Sequence, residues 1–232
     1  MKYLIVTFLI FSTAATAQVK LPLPRDVQKL YDYGTRSADG RPGKNYWQNT
    51  ADYNITVTYD PISRLVTGTE EITYINNSPD ALNEIVFKVY PNLYKKGSVR
   101  DMSVEAADIT DGVSIRNVEV NGIKKSDRSL RGEGTTMMLT GVSTPSKKST
   151  TIKLDFSYTL NKESHIRTGE IEEGAAFIAY FFPRIAVYDD LDGWNMNEYM
   201  GSKEFYNDFC NFNVSITVPK NYLVWATGDL QN

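Results

Sequence analysis

From Tyr53 onward the chain alternates apolar and polar positions with a period of two. Tyr53, Ile55, Val57 and Tyr59 are separated by Asn54, Thr56 and Thr58, the pattern of a strand with one buried face. Asp60-Pro61 interrupts it, and Leu65 to Ile75 resumes it in a threonine-rich run where Gly68 predicts a bulge. Asn76 to Asp80 is a turn cluster. Leu82 to Tyr90 predicts the next strand, ended by Pro91-Asn92. Val113 to Val120 followed by Asn121-Gly122 predicts a hairpin. Thr135 to Leu139 is short and apolar, whereas Ile152, Leu154, Phe156, Tyr158 and Leu160 alternate without a fault. The unbroken apolar run Ala175 to Phe182 predicts a strand covered on both faces. Phe212, Val214, Ile216 and Val218 alternate again, and Leu223 to Ala226 reads as a last strand. No amphipathic helix exceeds about three turns. The expectation is an all-β sandwich of mostly antiparallel strands, or an open barrel-like sheet.

The residues ahead of this pattern divide in two. Lys2, the apolar run Tyr3 to Phe11 and the small-residue site Ala15-Thr16-Ala17 make residues 1–17 a signal peptide, cleaved to leave Gln18. The run is too short to span a bilayer, so no stable membrane span is expected. No cysteine follows the site to carry a lipid anchor. Residues 18–51 contain LPLPRD and SADGRPGKNYWQN and read as an extended lead-in, with one or two helical turns over Asp26 to Tyr33. Residues 52–232 form the β-rich domain. A leader of this kind implies an exported protein, periplasmic or extracellular.

Composition narrows the chemistry. With 25 Lys and Arg against 28 Asp and Glu, the net charge is −3, which gives no electrostatic reason to bind nucleic acid. Cys210 is the one cysteine, so no internal disulfide can form. The one histidine, His165, rules out a zinc site with two or three histidine ligands, and any histidine-activated nucleophile would have to use it. His165 lies in the polar stretch KESHIRTGE and is expected on the surface.

Other candidates are weaker still. Asp190 and Asp192 precede Gly193 as calcium-loop ligands would, and Asp189 adds a third carboxylate. Tyr188 and Tyr199 occupy the first and last ligand positions, however, so the expectation is a solvated acidic loop. Glu70-Glu71 and Glu172-Glu173 are adjacent in predicted strands and point to opposite faces, which makes them poor acid–base pairs. Cys210 has no cation close by in the sequence to activate it and reads as a small buried residue.

Four segments carry a resemblance: NYWQNTADYNITVTYD, GTEEITYINNSPDALNEIVFKVYPNLY, YFFPRIAVYDDLDGW and EFYNDFCNFNVSITVPKNYLVWATGDL. In this order, from about Tyr46 to Leu230, they resemble the N-terminal domain of aminopeptidase-N-like (gluzincin) zinc metallopeptidases of the exported bacterial type. The resemblance implies a saddle-like β-sandwich that caps a catalytic domain expected to follow Asn232. Zinc, the HExxH helix and the exopeptidase strand would belong to that domain, and none of these motifs occurs in this sequence. The family's substrate-binding Gln or Glu would fall near Ala179, Tyr180 and Phe181. That leaves Tyr180 and Phe181 as substrate-facing candidates, through a hydroxyl or an aromatic wall.

The expected function is therefore that of a non-catalytic domain shaping access to a zinc aminopeptidase cleft, with the catalytic domain as partner and peptides as substrates of the parent protein. The alternative is a stand-alone exported β-sandwich that binds peptide or carbohydrate. A carbohydrate surface would need exposed, coplanar aromatics, with Tyr180 and Trp194 as the candidates.

Overall fold

A computed structural model describes residues 22–163, 166–203 and 205–231. The leader and His165 lie outside the described residues. The predicted helical turns become α1 (Arg25–Tyr33), closed by Gly34 in the left-handed conformation, whose N–H caps the helix. Fourteen strands follow among the described residues. They are β1 (Thr50–Asp60), β2 (Leu65–Asn76), β3 (Leu82–Lys88), β4 (Ser114–Val120), β5 (Ile123–Lys124), β6 (Leu130–Arg131), β7 (Thr136–Thr144) and β8 (Lys148–Thr159), then β9 (Thr168–Glu172), β10 (Ala175–Ile178), β11 (Arg184–Ile185), β12 (Tyr188–Asp189), β13 (Gly193–Trp194) and β14 (Cys210–Thr217).

The main sheet has the order β14-β1-β2-β8-β4-β5, and a second sheet runs β11-β3-β7-β6. All ladders are antiparallel except β1–β14. Tyr53, Ile72, Leu154 and Val118 from the main sheet share one core with Ile85, Phe87, Leu139 and Val142 from the second. The fold is thus the expected all-β, mostly antiparallel one, two sheets enclosing a single apolar layer. The buried positions of β1 and β8 are the alternating ones read from the sequence.

The turn predictions hold where side-chain chemistry dictates them. Asn121 and Gly122 both adopt positive φ, 51° and 77°, and join β4 to β5. The Asn76–Asp80 turn is clamped by two buried amides. Asn49 accepts from Asn77 N–H at 2.7 Å, and Asn76 donates to the Asp80 carbonyl at 2.8 Å.

Three strand expectations need correction. Gly68 is not a bulge: β2 keeps unbroken register with β1 and β8, and its missing side chain makes room for the Phe156 ring. The run Ala175 to Phe182 is not a strand buried on both faces. β10 stops at Ile178, pairs only with β9 and leaves Phe177 exposed. Continuous burial belongs instead to the end of β3, Ile85 to Lys88. Finally, Leu223 to Ala226 forms no strand, and its side chains are exposed. An apolar run becomes a strand only where a partner edge satisfies its backbone.

Candidate functional site

The β9–β10 hairpin turns through Gly174, whose φ of 80° suits the turn, and delivers the chain to Tyr180. There the Ala179 N–H donates to the Arg167 carbonyl at 3.1 Å. Tyr180 itself adopts φ 55°, while Ile166 and Arg167 across the hairpin base sit at 54° and 62°. A left-handed residue without a glycine is costly, more so for a β-branched one, and such conformations persist where surrounding packing fixes them.

This reversal separates the two sequence candidates. Tyr180 turns into a small aromatic cluster with Tyr90, Tyr199 and Phe205, while Phe181 and Phe182 pack against the main core. The Tyr180 ring lies 3.7 Å from Phe205 and 5.5 Å from Tyr90, centre to centre. The Arg167 guanidinium covers both Tyr180 and Phe205, at 5.4 and 5.5 Å from the ring centres. Phe181 meets Phe182 edge-on at 5.1 Å, and Phe182 in turn meets Tyr53 at 5.4 Å. Both candidates are half-buried.

The cluster is latched from below. Thr135 donates its N–H and its hydroxyl to the Glu198 carboxylate, each at 2.6 Å, and accepts from the Tyr199 N–H at 2.6 Å. Lys88, at the buried end of β3, donates to Thr136 Oγ1 at 3.0 Å and to the Asn197 carbonyl at 2.7 Å. Burial lowers its pKa to about 8, against the opposing pull of Glu198. Tyr90 donates its hydroxyl to Asn207 at 3.2 Å, and burial pushes its pKa to about 12.

The acidic loop is tied into the fold. Asp189 accepts from the Leu191 and Asp192 N–H groups at 3.0 and 2.8 Å and from the Tyr206 hydroxyl at 3.1 Å. Asp190 takes a two-pronged contact from Arg36, at 3.1 Å from Nε and 2.6 Å from Nη2. Burial works to raise the Asp190 pKa, but the hydrogen bonds from Arg36 and Thr35 and the Arg36 charge leave it below the usual value. A freely solvated loop was expected, but two of its three aspartates are structural ligands of protein groups. Among the described residues, no three His, Cys, Asp or Glu side chains are placed to hold a metal ion.

Next to the loop, Arg184 donates to the Asp208 carbonyl at 2.7 Å and lies 3.9 Å from Cys210 Sγ. Burial raises the Cys210 pKa despite this cation, and raises Asp208 to about 6. Cys210 is half-buried, so a reactive thiolate is disfavoured. Trp194 stacks on Tyr74 at 6.0 Å and meets Tyr188 edge-on at 5.2 Å. Trp194 and Tyr180 are thus packed into separate clusters and form no common flat platform.

A buried carboxylate also escaped the sequence reading. Glu70 and Glu71 do point to opposite faces, but Glu70 points inward and is 1% exposed. Neither of its carboxylate oxygens has a hydrogen-bond partner among the described residues. Burial pushes its pKa well above the ordinary value. The signal was present: Val66, Gly68, Glu70, Ile72 and Tyr74 share one strand face.

No family model matches the chain, and no curated protein matches it. Solved structures do show likeness. One is an M1 zinc metallopeptidase from Deinococcus radiodurans, bound to a Tyr-Ser-Ala substrate, with 14% identity, a TM-score of 0.40 and coverage of 77% of this chain and 34% of that one. Another is a two-domain M1 zinc metallopeptidase bound to L-arginine, with 14% identity, a TM-score of 0.41 and coverage of 78% and 35%. A third is aminopeptidase A of Legionella pneumophila in complex with aspartic acid, at 9% identity, a TM-score of 0.30 and coverage of 53% and 13%. This chain spans about a third of the length of the first two.

Proposed function

We propose that this chain is the non-catalytic N-terminal domain of an exported zinc aminopeptidase-like protein, which caps the active-site cleft and shapes peptide access. The observation that supports this reading is apolar surface around and beyond β14. Phe209, Leu223, Trp225 and Leu230 are each between 82% and 94% exposed. Large apolar side chains left this exposed are candidates for contact with another protein surface. In this reading the face receives the zinc-bearing catalytic domain. The Tyr180 cluster stands at the substrate entrance, where Tyr180 offers an aromatic wall and Arg167 a positive charge. The zinc, its ligands and the general base belong to the catalytic domain.

The test has two arms. The exported, purified chain should hydrolyse no aminoacyl-anilide or short peptide with zinc present, and codons continuing in frame after Asn232 should encode HExxH. Zinc-dependent hydrolysis by this chain alone would overturn the proposal.

A further inference from the structure

The charge of the chain is unevenly placed. Residues 114–153 contain eight Lys and Arg against three Asp and Glu, although the whole chain carries a net charge of −3. These residues build β4 to β7 and the start of β8. They form the side of the sandwich farthest from β14 and β11, because β5 and β6 are the opposite ends of the two larger sheets. The link between β5 and β6, residues 125–130, closes that side. Lys125 donates its N–H to the Val118 carbonyl of β4 at 2.8 Å and its ammonium to the Gly141 carbonyl of β7 at 2.6 Å. Thr140 donates its hydroxyl to the Ser129 carbonyl at 3.1 Å. Lys124, Arg128 and Arg131 stand exposed along this side.

The β4–β5 turn projects from the same side. Asn121 donates its N–H to the Thr151 carbonyl and accepts from the Thr151 N–H at Oδ1, each at 2.9 Å, so the turn rests against the start of β8. The β7–β8 turn, with exposed Lys147 and Lys148, lies at this end of the sheet. A Cβ on Gly122 would meet nothing within 4 Å, and the next residue, Ile123, is 67% exposed. The acids of the region are outnumbered. Glu119 lies between Lys124 and Lys153 in cross-strand register, and Asp127 and Glu133 are the other two.

We propose that this corner of the sandwich binds the surface of a bilayer containing anionic phospholipid. Lys124, Arg128, Arg131, Lys147 and Lys148 lie over the headgroups, and Ile123 inserts among them. Each cation held near an anionic membrane surface adds roughly fivefold to affinity. An apolar side chain gains by entering the boundary between headgroups and acyl chains. Ile123 decides between anionic partners: a hydrated polyanion, such as a nucleic acid or an acidic polysaccharide, offers it no apolar surroundings, whereas a bilayer does. The same membrane repels the more acidic remainder of the chain, which fixes the orientation. The binding is peripheral and reversible. It holds whether or not a catalytic domain docks beside β14, because β14 and the segments after it lie on the other side of the sandwich and take no part.

Flotation of the exported, purified chain with lipid vesicles tests it. Binding to vesicles of phosphatidylglycerol and phosphatidylcholine in equal parts should be at least about tenfold tighter than to phosphatidylcholine alone. It should weaken as NaCl is raised from about 0.05 to about 0.5 M. Lys124→Gln combined with Arg128→Gln should weaken it about 25-fold. Ile123→Ser should weaken it severalfold and leave its salt dependence unchanged. Lys162→Gln, just beyond the far end of β8, should leave it unchanged. Circular dichroism confirms that each variant is folded. Equal binding to both kinds of vesicle, or none to the mixed ones, overturns the proposal. So does undiminished binding by the double Gln variant or by Ile123→Ser, a loss in Lys162→Gln as large as in the double variant, or binding to heparin with none to the vesicles.

Discussion

Gly68 lies directly beneath the Phe156 ring: a Cβ placed on Gly68 would come within 2.5 Å of Phe156 Cζ and 2.9 Å of the Thr56 carbonyl oxygen. The two residues are register partners in neighbouring strands, so the ring fills space that any other residue at position 68 would occupy. Gly68→Ala is expected to cost about 1–3 kcal/mol by overpacking. Adding Phe156→Leu should recover part of that loss, because the two sites share one volume. Urea unfolding of the two single variants and the double variant gives the coupling, and strict additivity would contradict the account.

Lys88 predicts stability that rises with alkalinity. Its pKa is lowered from 10.5 to about 8 in the folded state, so between these values the unfolded chain binds more protons. Stability contributed by Lys88 should therefore increase from pH 8 upward, by up to about 3 kcal/mol over the full interval. Lys88→Met should flatten that slope. Denaturant midpoints at pH 7.5, 8.5 and 9.5 measure it below the range where the buried tyrosines titrate. An unchanged slope in the variant would count against a buried amine.

Glu70 predicts the opposite trend. Its folded pKa is raised by burial, so the folded state holds a proton that the unfolded state releases. Stability is then greatest at acidic pH and falls as pH rises toward the folded value. Glu70→Leu should stabilise the protein by about 1–3 kcal/mol at neutral pH, with a larger gain at higher pH. Thermal melts at pH 5, 7 and 9 read this directly, and a variant less stable than wild type at pH 9 would refute it.

Arg36 fastens the lead-in to the acidic loop through Asp190, whose carboxylate is largely covered. Arg36→Ala leaves that carboxylate without its main partner and should cost about 1–2 kcal/mol. The Asp190 pKa should move up, since Arg36 supplies the bonds that hold it down. Faster limited proteolysis or amide exchange in residues 26–46 would show the lead-in loosening, and protection equal to wild type would exclude the clamp.

Strands with one buried face were legible in the sequence, because alternation records burial directly. Tyr53 to Tyr59 and Ile152 to Leu160 are the clear cases. β7 was read too short: it continues to Thr144, where polar Thr140, Ser143 and Thr144 and the bare Gly141 conceal a strand that pairs with β3 at Glu84–Thr140 and Leu82–Thr144. Ala175 to Phe182 misled for the reverse reason. Its side chains serve three places, an exposed hairpin, the Tyr180 cluster and the main core, so an unbroken apolar run did not mean one buried strand. The division between Tyr180 and Phe181 depends on a left-handed turn without glycine, for which the sequence carries no local signal.

The parallel pairing of β1 with β14 also sets a timetable for synthesis. β1, β2 and β8 can assemble once Thr159 has emerged from the ribosome, but β1 must wait 58 further residues for Thr217. At roughly 5–20 residues per second, that is a delay of about 3–12 s. Throughout it, the nascent chain presents the edge of a long, threonine-rich strand with Tyr53, Ile55 and Val57 on its apolar side. A pause in translation between codons 160 and 217 would prolong that state, making this interval the point at which a holding chaperone would matter most for the yield of folded protein.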